Sequence, residues 1–200
     1  MKNSKLKDLK DEEIVSLYVE TQQNVYFEEI YRRYADKVYR KCYSFVYSQQ
    51  KAEDFTHDIF LKLIVKIGTF KENSKFSTWL YSITYNFCMD QIRVNKKMAE
   101  TSFDDSFDMV EEEEDLEFAS MKSKGLKRSL EQIPSDEKAL LLMKYQDDFS
   151  IKEISETLKI SESAVKMRLL RSKDKLKKLY LENFAIFGLI VLKIILFWKK

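Results

Sequence analysis

Glycine occurs three times and proline once in 200 residues, where average usage would supply roughly 14 and 10. Folds of many short strands need turn residues at nearly every corner. A sandwich, barrel or propeller is therefore excluded, and a chain of helices remains. Histidine is as scarce, with His57 alone, and the two cysteines, Cys42 and Cys88, form no CxxC. That leaves no zinc-ligand set, and a reducing cytosol is the expected setting rather than a disulfide scaffold. Met1–Glu13 is charged throughout, without the apolar stretch of a secretory signal. P-loop, dinucleotide fingerprint and nucleophile elbow are missing too, so no cofactor and no metal is expected.

What is present is charge, unevenly spread. The formal net charge is +2, yet Glu100–Met121 holds ten carboxylates and no lysine or arginine, leaving +12 on the rest of the chain. Such a balance suits a polyanionic partner. The acidic stretch has lost any helical period and reads as a self-repelling linker, with room for a short helix near Leu116–Met121.

Before the linker, apolar residues at Phe27, Ile30, Tyr31, Tyr34, Val38, Cys42 and Phe45 recur in steps of one helix face. A shorter helix precedes them at Ile14, Leu17 and Tyr18. A third runs from Ala52 to Ile67, and a fourth through Trp79, Leu80, Ile83 and Phe87 into the basic run Arg93, Lys96 and Lys97. Four helices make a self-sufficient bundle. After the linker, Leu126 and Leu130 lead to Pro134, which separates them from Ala139–Tyr145. The expected fold is all-α: a four-helix domain over 1–98, the linker over 99–121, a second helical domain over 122–180, and an apolar C-terminal helix over 181–200.

The clearest local grammar lies in residues 150–178. Ser150 with Glu153 forms a capping box, Ile151, Ile154 and Leu158 supply a buried side, and Ser161 caps a second helix after a turn at Lys159-Ile160. Val165, Leu169, Ser172 and Leu176 step along one face of it. This is a helix-turn-helix, whose second helix is placed for a major groove. Its N-terminal half meets base edges, so Ser163, Lys166 and Met167 are candidates for readout, with Ser161, Arg168 and Arg171 beside them. Lys173, Lys175, Lys177 and Lys178, further along, suit phosphates.

The fourth helix carries Phe76, Trp79, Tyr81, Tyr85 and Phe87 between Lys71, Lys75, Arg93, Lys96 and Lys97. The spacing assigns Trp79 and Phe87 to the core and turns Tyr81 and Tyr85 to another side. Exposed aromatics among basic residues form a platform for unstacked bases, each worth roughly 1–3 kcal/mol.

These residues also carry a resemblance. Ala52–Leu63, reading AEDFTHDIFLKL, resembles the conserved region 2 helix of bacterial sigma factors. The segment Phe76–Asn86, with Asp90 and Arg93, is similar to the promoter-melting segment of that region. Leu130–Pro134 followed by Ser150–Leu179 resembles region 4. With no region 3 between them, the chain resembles the extracytoplasmic-function (ECF) group of the sigma-70 family over roughly residues 9–98 and 122–180. The resemblance implies a specificity subunit, not an enzyme, that binds core RNA polymerase and directs initiation from −35 and −10 promoter elements. It implies that Asp54, Asp58, Phe60 and Leu61 meet the β′ clamp helices and that region 4 contacts the β flap. It further implies that Lys71–Lys75 form a loop capturing a flipped base and that Asn86 lies near the −10 bases. An anti-sigma factor is a further partner of the group. His57 stands where the family more often has glutamine, and no catalytic role follows from it.

One segment departs from the family. Phe184–Trp198 is almost wholly apolar and precedes Lys199 and Lys200. Fifteen helical residues reach about 22 Å, short of a hydrocarbon core of about 30 Å. Three destinations fit it: a membrane, which would make a cytoplasmic protein membrane-associated; a partner protein such as an anti-sigma factor; or this chain's own helices. Two other functions fit less of the chain. A helix-turn-helix regulator with a sensing or dimerising N-terminal bundle explains residues 150–178 but leaves those at 52–64 and 76–93 without a reason. A metal-dependent nuclease built on Glu111–Asp115 lacks a histidine neighbour and a defined scaffold.

Overall fold

A computed structural model describes residues 6–99 and 118–198 of the chain, with side chains at 6–95 and 125–183. It divides into two compact units, Met1–Val110 and Glu111–Lys200. The described residues form helices and contain no strand. The first unit comprises α1 (Asp11–Thr21), α2 (Asn24–Val46), α3 (Gln49–Lys66) with a 3-10 turn at Ile67–Thr69, and α4 (Phe76–Ala99). The second comprises α5 (Phe118–Glu131), α6 (Ser135–Tyr145), α7 (Ile151–Leu158) and α8 (Glu162–Trp198).

The scarcity of glycine shows at the helix ends. Gln22, Tyr47 and Lys159 close α1, α2 and α7 in the left-handed conformation, at φ 54°, 49° and 53°. That conformation reverses the chain and satisfies a terminal carbonyl, but it is strained for residues with a Cβ. Gly125 is used differently. A Cβ there would lie 3.3 Å from the Tyr180 ring, so its absence lets α5 lie close to α8.

In the first unit α2 packs on α1, α3 and α4, and α4 also packs on α3. Ile14, Ile30, Val38, Ile59, Leu63 and Leu80 fill the centre. Cys42 and Cys88 meet there, their sulfurs 3.9 Å apart as free thiols. The Cys88 thiol donates to Cys42, and this bond together with burial pushes its pKa well above the usual range. Two acidic groups of α1 tie down the other helices. Glu12 Oε1 accepts the Phe76 N–H at 2.8 Å, capping α4 from outside. Asp11 accepts from the Tyr34 hydroxyl and, at 2.7 Å, from Arg33. Arg33 also donates to Glu29 and to the carbonyls of Leu6, Lys7 and Leu9.

In the second unit α5, α6 and α7 all pack on α8, around Ile133, Leu140, Met143, Phe149, Ile154, Val165 and Leu169. Lys138 is buried on α6, and desolvation pulls its pKa down to about 8. The acidic linker expected at 99–121 lies mostly outside the described residues; its last positions, from Phe118, belong to α5, where a short helix near Leu116–Met121 was expected. The expected apolar C-terminal helix is the continuation of α8, a single helix of 37 residues. No glycine or proline interrupts the sequence between Ser161 and Gly188, so nothing there stops the helix. The side chains of the apolar tail, from Phe184, lie outside the described residues, and no helix among the described residues is long and apolar enough to cross a membrane.

Candidate nucleic-acid and polymerase interfaces

The helix-turn-helix is built from local capping. Ser150 Oγ accepts the Glu153 N–H at 3.1 Å, and Glu153 accepts the Ser150 N–H at 2.7 Å. Ser155 Oγ then donates to the Ile160 carbonyl across the turn. Ser161 Oγ accepts the Ala164 N–H at 3.2 Å and lies 3.0 Å from Ser163 Oγ. With Val165, Leu169 and Ser172 buried beneath, Ser161, Ser163, Lys166, Met167, Arg168 and Arg171 are all exposed on the first three turns of α8. The rows further along are more occupied. Lys175 lies 3.4 Å from Glu137, and Lys178 lies 3.9 Å from Glu182. Lys173 and Lys177 are exposed.

On α4 the structure turns the expected face. Phe76 and Tyr85, expected among the strand-holding aromatics, are both core residues, 0% and 1% exposed. Phe76 packs edge-on against Tyr34 and Phe70, and Tyr85 against Phe45. Trp79, expected in the core, is half-buried and tilted against Phe70 and Phe76. Phe87 is buried, as expected. The cause is that α4 packs against α2 on one side and α3 on the other, so its buried arc is wider than a single stripe. Thr84 sits within that arc, its hydroxyl satisfied by the Leu80 carbonyl. The outward stripe runs Trp79, Ile83, Asn86, Asp90, Arg93, in steps of four and three. Tyr81 is half-buried on the opposite side of the helix, in the seam with α2, where it meets Tyr34 and Lys41. Lys71 and Lys75 are exposed in the preceding loop, and Lys75 lines a cavity of about 300 Å³ with Lys10, Asp11, Glu12, Arg33 and Ser77.

On α3, Asp54, Asp58 and Leu61 are exposed. Phe60 is not: it is 4% exposed and packs its ring on Tyr31 at 4.7 Å. It supports the helix from behind and cannot be a direct anchor. The exposed apolar side chains of this helix that the sequence reading left out are Ile64 and Val65, 44% and 82% exposed beside Leu61 at 59%. Asp54, Asp58, Leu61 and Val65 step by four, three and four along one face. A signal existed: apolar residues falling outside the buried period of a helix. No group of three or more histidine, cysteine, aspartate or glutamate side chains among the described residues could hold a metal ion.

A helix-turn-helix with an exposed second helix in one unit and, in the other, an exposed apolar-acidic stripe on α3 and a polar-basic one on α4 are the surfaces expected of a promoter-binding subunit. The comparisons agree. The family model of Sigma-70 region 2 matches residues 30–98, and that of Sigma-70 region 4 matches residues 124–176. The chain belongs to the sigma-70 family of transcription initiation factors.

Its relatives narrow this to the ECF group. The chain is 31% identical over 148 residues to the ECF RNA polymerase sigma factor SigW of Bacillus subtilis, covering 68% of this chain and 79% of SigW. It is 26% identical to the RNA polymerase sigma factor YlaC of the same organism, covering 64% and 77%. Its fold is similar to that of the sigma factor RpoE from Bartonella quintana, solved with the anti-sigma factor NepR, at a TM-score of 0.63 and 20% identity over 76% of this chain and 95% of RpoE. It is also similar to CnrH, solved with the cytosolic domain of CnrY, at 0.60 and 18% over 84% and 96%. The chain is thus an ECF sigma factor that recognises promoters and directs transcription initiation, and the reading as a plain helix-turn-helix regulator falls away.

Proposed function

We propose a division of labour among the three surfaces. The α3 stripe of Asp54, Asp58, Leu61, Ile64 and Val65 docks on the clamp helices of polymerase β′. The outward side of α4 holds the opened −10 strand, with Trp79 as the stacking ring, Asn86 as the polar contact, and Lys71, Lys75 and Arg93 facing phosphates, while Tyr81 supports the helix from the α2 side. The start of α8 reads the −35 element, with Lys166 and Met167 toward bases, and the second unit meets the β flap. The observation that carries the reading is the α8 surface, where all six expected contact residues are exposed above a buried Val165, Leu169 and Ser172. The factor acts as a specificity subunit with no catalysis of its own.

The test is promoter-directed transcription by bacterial core polymerase reconstituted with this chain. A new start site is expected. Failure to form a holoenzyme, where another initiation subunit succeeds, would overturn the reading. On that promoter Lys166→Ala should change which −35 sequences are used, by about 1–3 kcal/mol at one position. Lys177→Ala should weaken all sequences alike and lower the salt slope by about one. Uniform weakening by both would remove Lys166 from the base-reading set.

Two further partners belong to the proposal. An anti-sigma factor is supported by the similarly folded RpoE of Bartonella quintana having been solved with the anti-sigma factor NepR. A membrane surface is supported by the apolar Phe184–Trp198 run and its terminal lysines, since such helices lie at the interface with basic residues as anchors. Deleting residues 181–200 should move the protein out of the membrane fraction; an unchanged distribution would dispose of the contact.

A further inference from the structure

We propose that Cys42 and Cys88 form a reversible thiol–disulfide site, oxidised by a small hydroperoxide that enters between α2 and α3. The two sulfurs lie 3.9 Å apart as free thiols, on residues 46 apart in the chain. Both residues are fully buried, Cys42 on α2 and Cys88 on α4. Burial alone would make them inert packing, but a single side chain separates Cys42 from an open cavity. That side chain is Thr56 of α3, whose hydroxyl lies against the Cys42 sulfur. Thr56 also lines a cavity of about 340 Å³ between α2 and α3, with Tyr31, Asp36, Glu53 and His57. These four are exposed at its mouth. A hydroperoxide little larger than water fits there.

The pair divides the chemistry. Hydrogen bonding from Cys88, opposed by burial and joined by Thr56, lowers the pKa of Cys42. The same bond, together with burial, keeps Cys88 a thiol. Cys42 is therefore the attacking sulfur and Cys88 the resolving one. The Cys42 thiolate takes one oxygen of the hydroperoxide as the O–O bond breaks. The released alkoxide or hydroxide picks up the proton that Cys42 gave up. Cys88 then attacks the sulfenic acid on Cys42, the S–O bond breaks, and the Cys88 proton leaves with the hydroxyl as water. Two thiols lose two electrons and two hydrogens, and the peroxide accepts both. The bond ties α2 to α4 two residues beyond Asn86. Disulfides of a reducing cytosol are usually transient and redox-sensing, and a dithiol reopens this one.

The experiment treats the folded full chain with hydrogen peroxide at neutral pH, quenches in acid, unfolds, alkylates the remaining thiols and maps peptides by mass. The native chain should yield Cys42 and Cys88 as one linked peptide, and a dithiol should restore both thiols. Sulfenic acid should not build up, because the resolving sulfur is already in contact. Cys88→Ala should stop at a sulfenic acid trapped by a dione reagent, and Cys42→Ala should react about tenfold more slowly than the native chain. Thr56→Ala, which opens the cavity wall, should form the bond about threefold faster. Two thiols recovered from the folded native chain overturn the proposal, as does a bond that forms only in urea. A Cys42→Ala chain oxidised at the native rate overturns the order of attack, and a Thr56→Ala rate no faster than native overturns the entry route. Where a cysteine variant does not fold, the linked peptide of the native chain and the Thr56→Ala rate decide.

Discussion

Aspartate in place of both Leu61 and Val65 is expected to weaken association with core polymerase by about 100-fold or more and to abolish promoter-directed transcription, while the chain stays folded. Both side chains stand in solvent, 59% and 82% exposed, so neither supports the core, and the helix loses only about 0.5 kcal/mol per substitution. At an interface the balance differs. Burying an aliphatic side chain yields about 1.5–3 kcal/mol, and an aspartate forced into the same contact would have to be desolvated unpaired. Single exposed aliphatics are ordinary on protein surfaces. Three within five residues, in line with two carboxylates on the same helix, form a patch that needs a partner. The check is equilibrium binding to labelled core polymerase alongside circular dichroism. Native affinity in a folded double variant would remove α3 as the docking surface.

The same helix shows what the sequence could and could not tell. Its existence, and the exposure of Asp54, Asp58 and Leu61, follow from a simple period. The exchange of Phe60 for Ile64 and Val65 does not, because a phenylalanine looks like an anchor until Tyr31 of α2 is seen against it. The helix-turn-helix was legible almost residue by residue. Its determinants are local: a capping box closed within four residues, a serine cap, and one buried stripe. On α4 the aromatic cluster was evident, but its phase was not. A helix packed on two sides buries more than one stripe, and nothing in an aromatic side chain says which side of that arc it occupies. Buried charge was the least legible. Lys41 and Glu29 lie on an ordinary amphipathic pattern; Glu29 is answered by Arg32 and Arg33 of its own helix, whereas the rings beside Lys41, Tyr81 and Tyr85, come from α4. The two cysteines likewise show no motif, yet the packing of α2 on α4 brings them together.

Arg33→Met is expected to destabilise the first unit by about 3 kcal/mol at neutral pH, at the lower end for breaking a buried pair. Arg33 is a hub whose side chain is 17% exposed, between Glu29 at 9% and Asp11 at 29%. It joins α2 to α1 and to the chain before it through the carbonyls of Leu6, Lys7 and Leu9. Methionine keeps the stem and deletes every donor, leaving the three carbonyls without Arg33, while Arg32 still answers Glu29 and Tyr34 still answers Asp11. The pH dependence follows from Glu29. Hydrogen bonding from Arg32, opposed by burial and joined by Arg33, lowers its pKa from 4.5 to about 2. A depressed carboxylate contributes stability that is present above the unfolded value and lost as pH falls from about 4.5 through about 2. In the native chain that contribution is about 3 kcal/mol, since each tenfold change in proton affinity is worth roughly 1.4 kcal/mol. Urea titrations between pH 7 and pH 2 should therefore show the native and Arg33→Met curves converging without meeting. Convergence follows because protonating Glu29 removes one of Arg33's two ion pairs; the gap stays open because the carbonyl bonds of Arg33 do not titrate. Arg32 still holds Glu29 in the variant, so some acid sensitivity persists there. A variant within about 0.5 kcal/mol of native at pH 7, the range of an ordinary surface substitution, would mean that Arg33 is solvated in solution and that α1 is held without it, by Ile14, Val15 and Tyr18 and by the bonds of Asp11 to Tyr34 and Glu12 to Phe76.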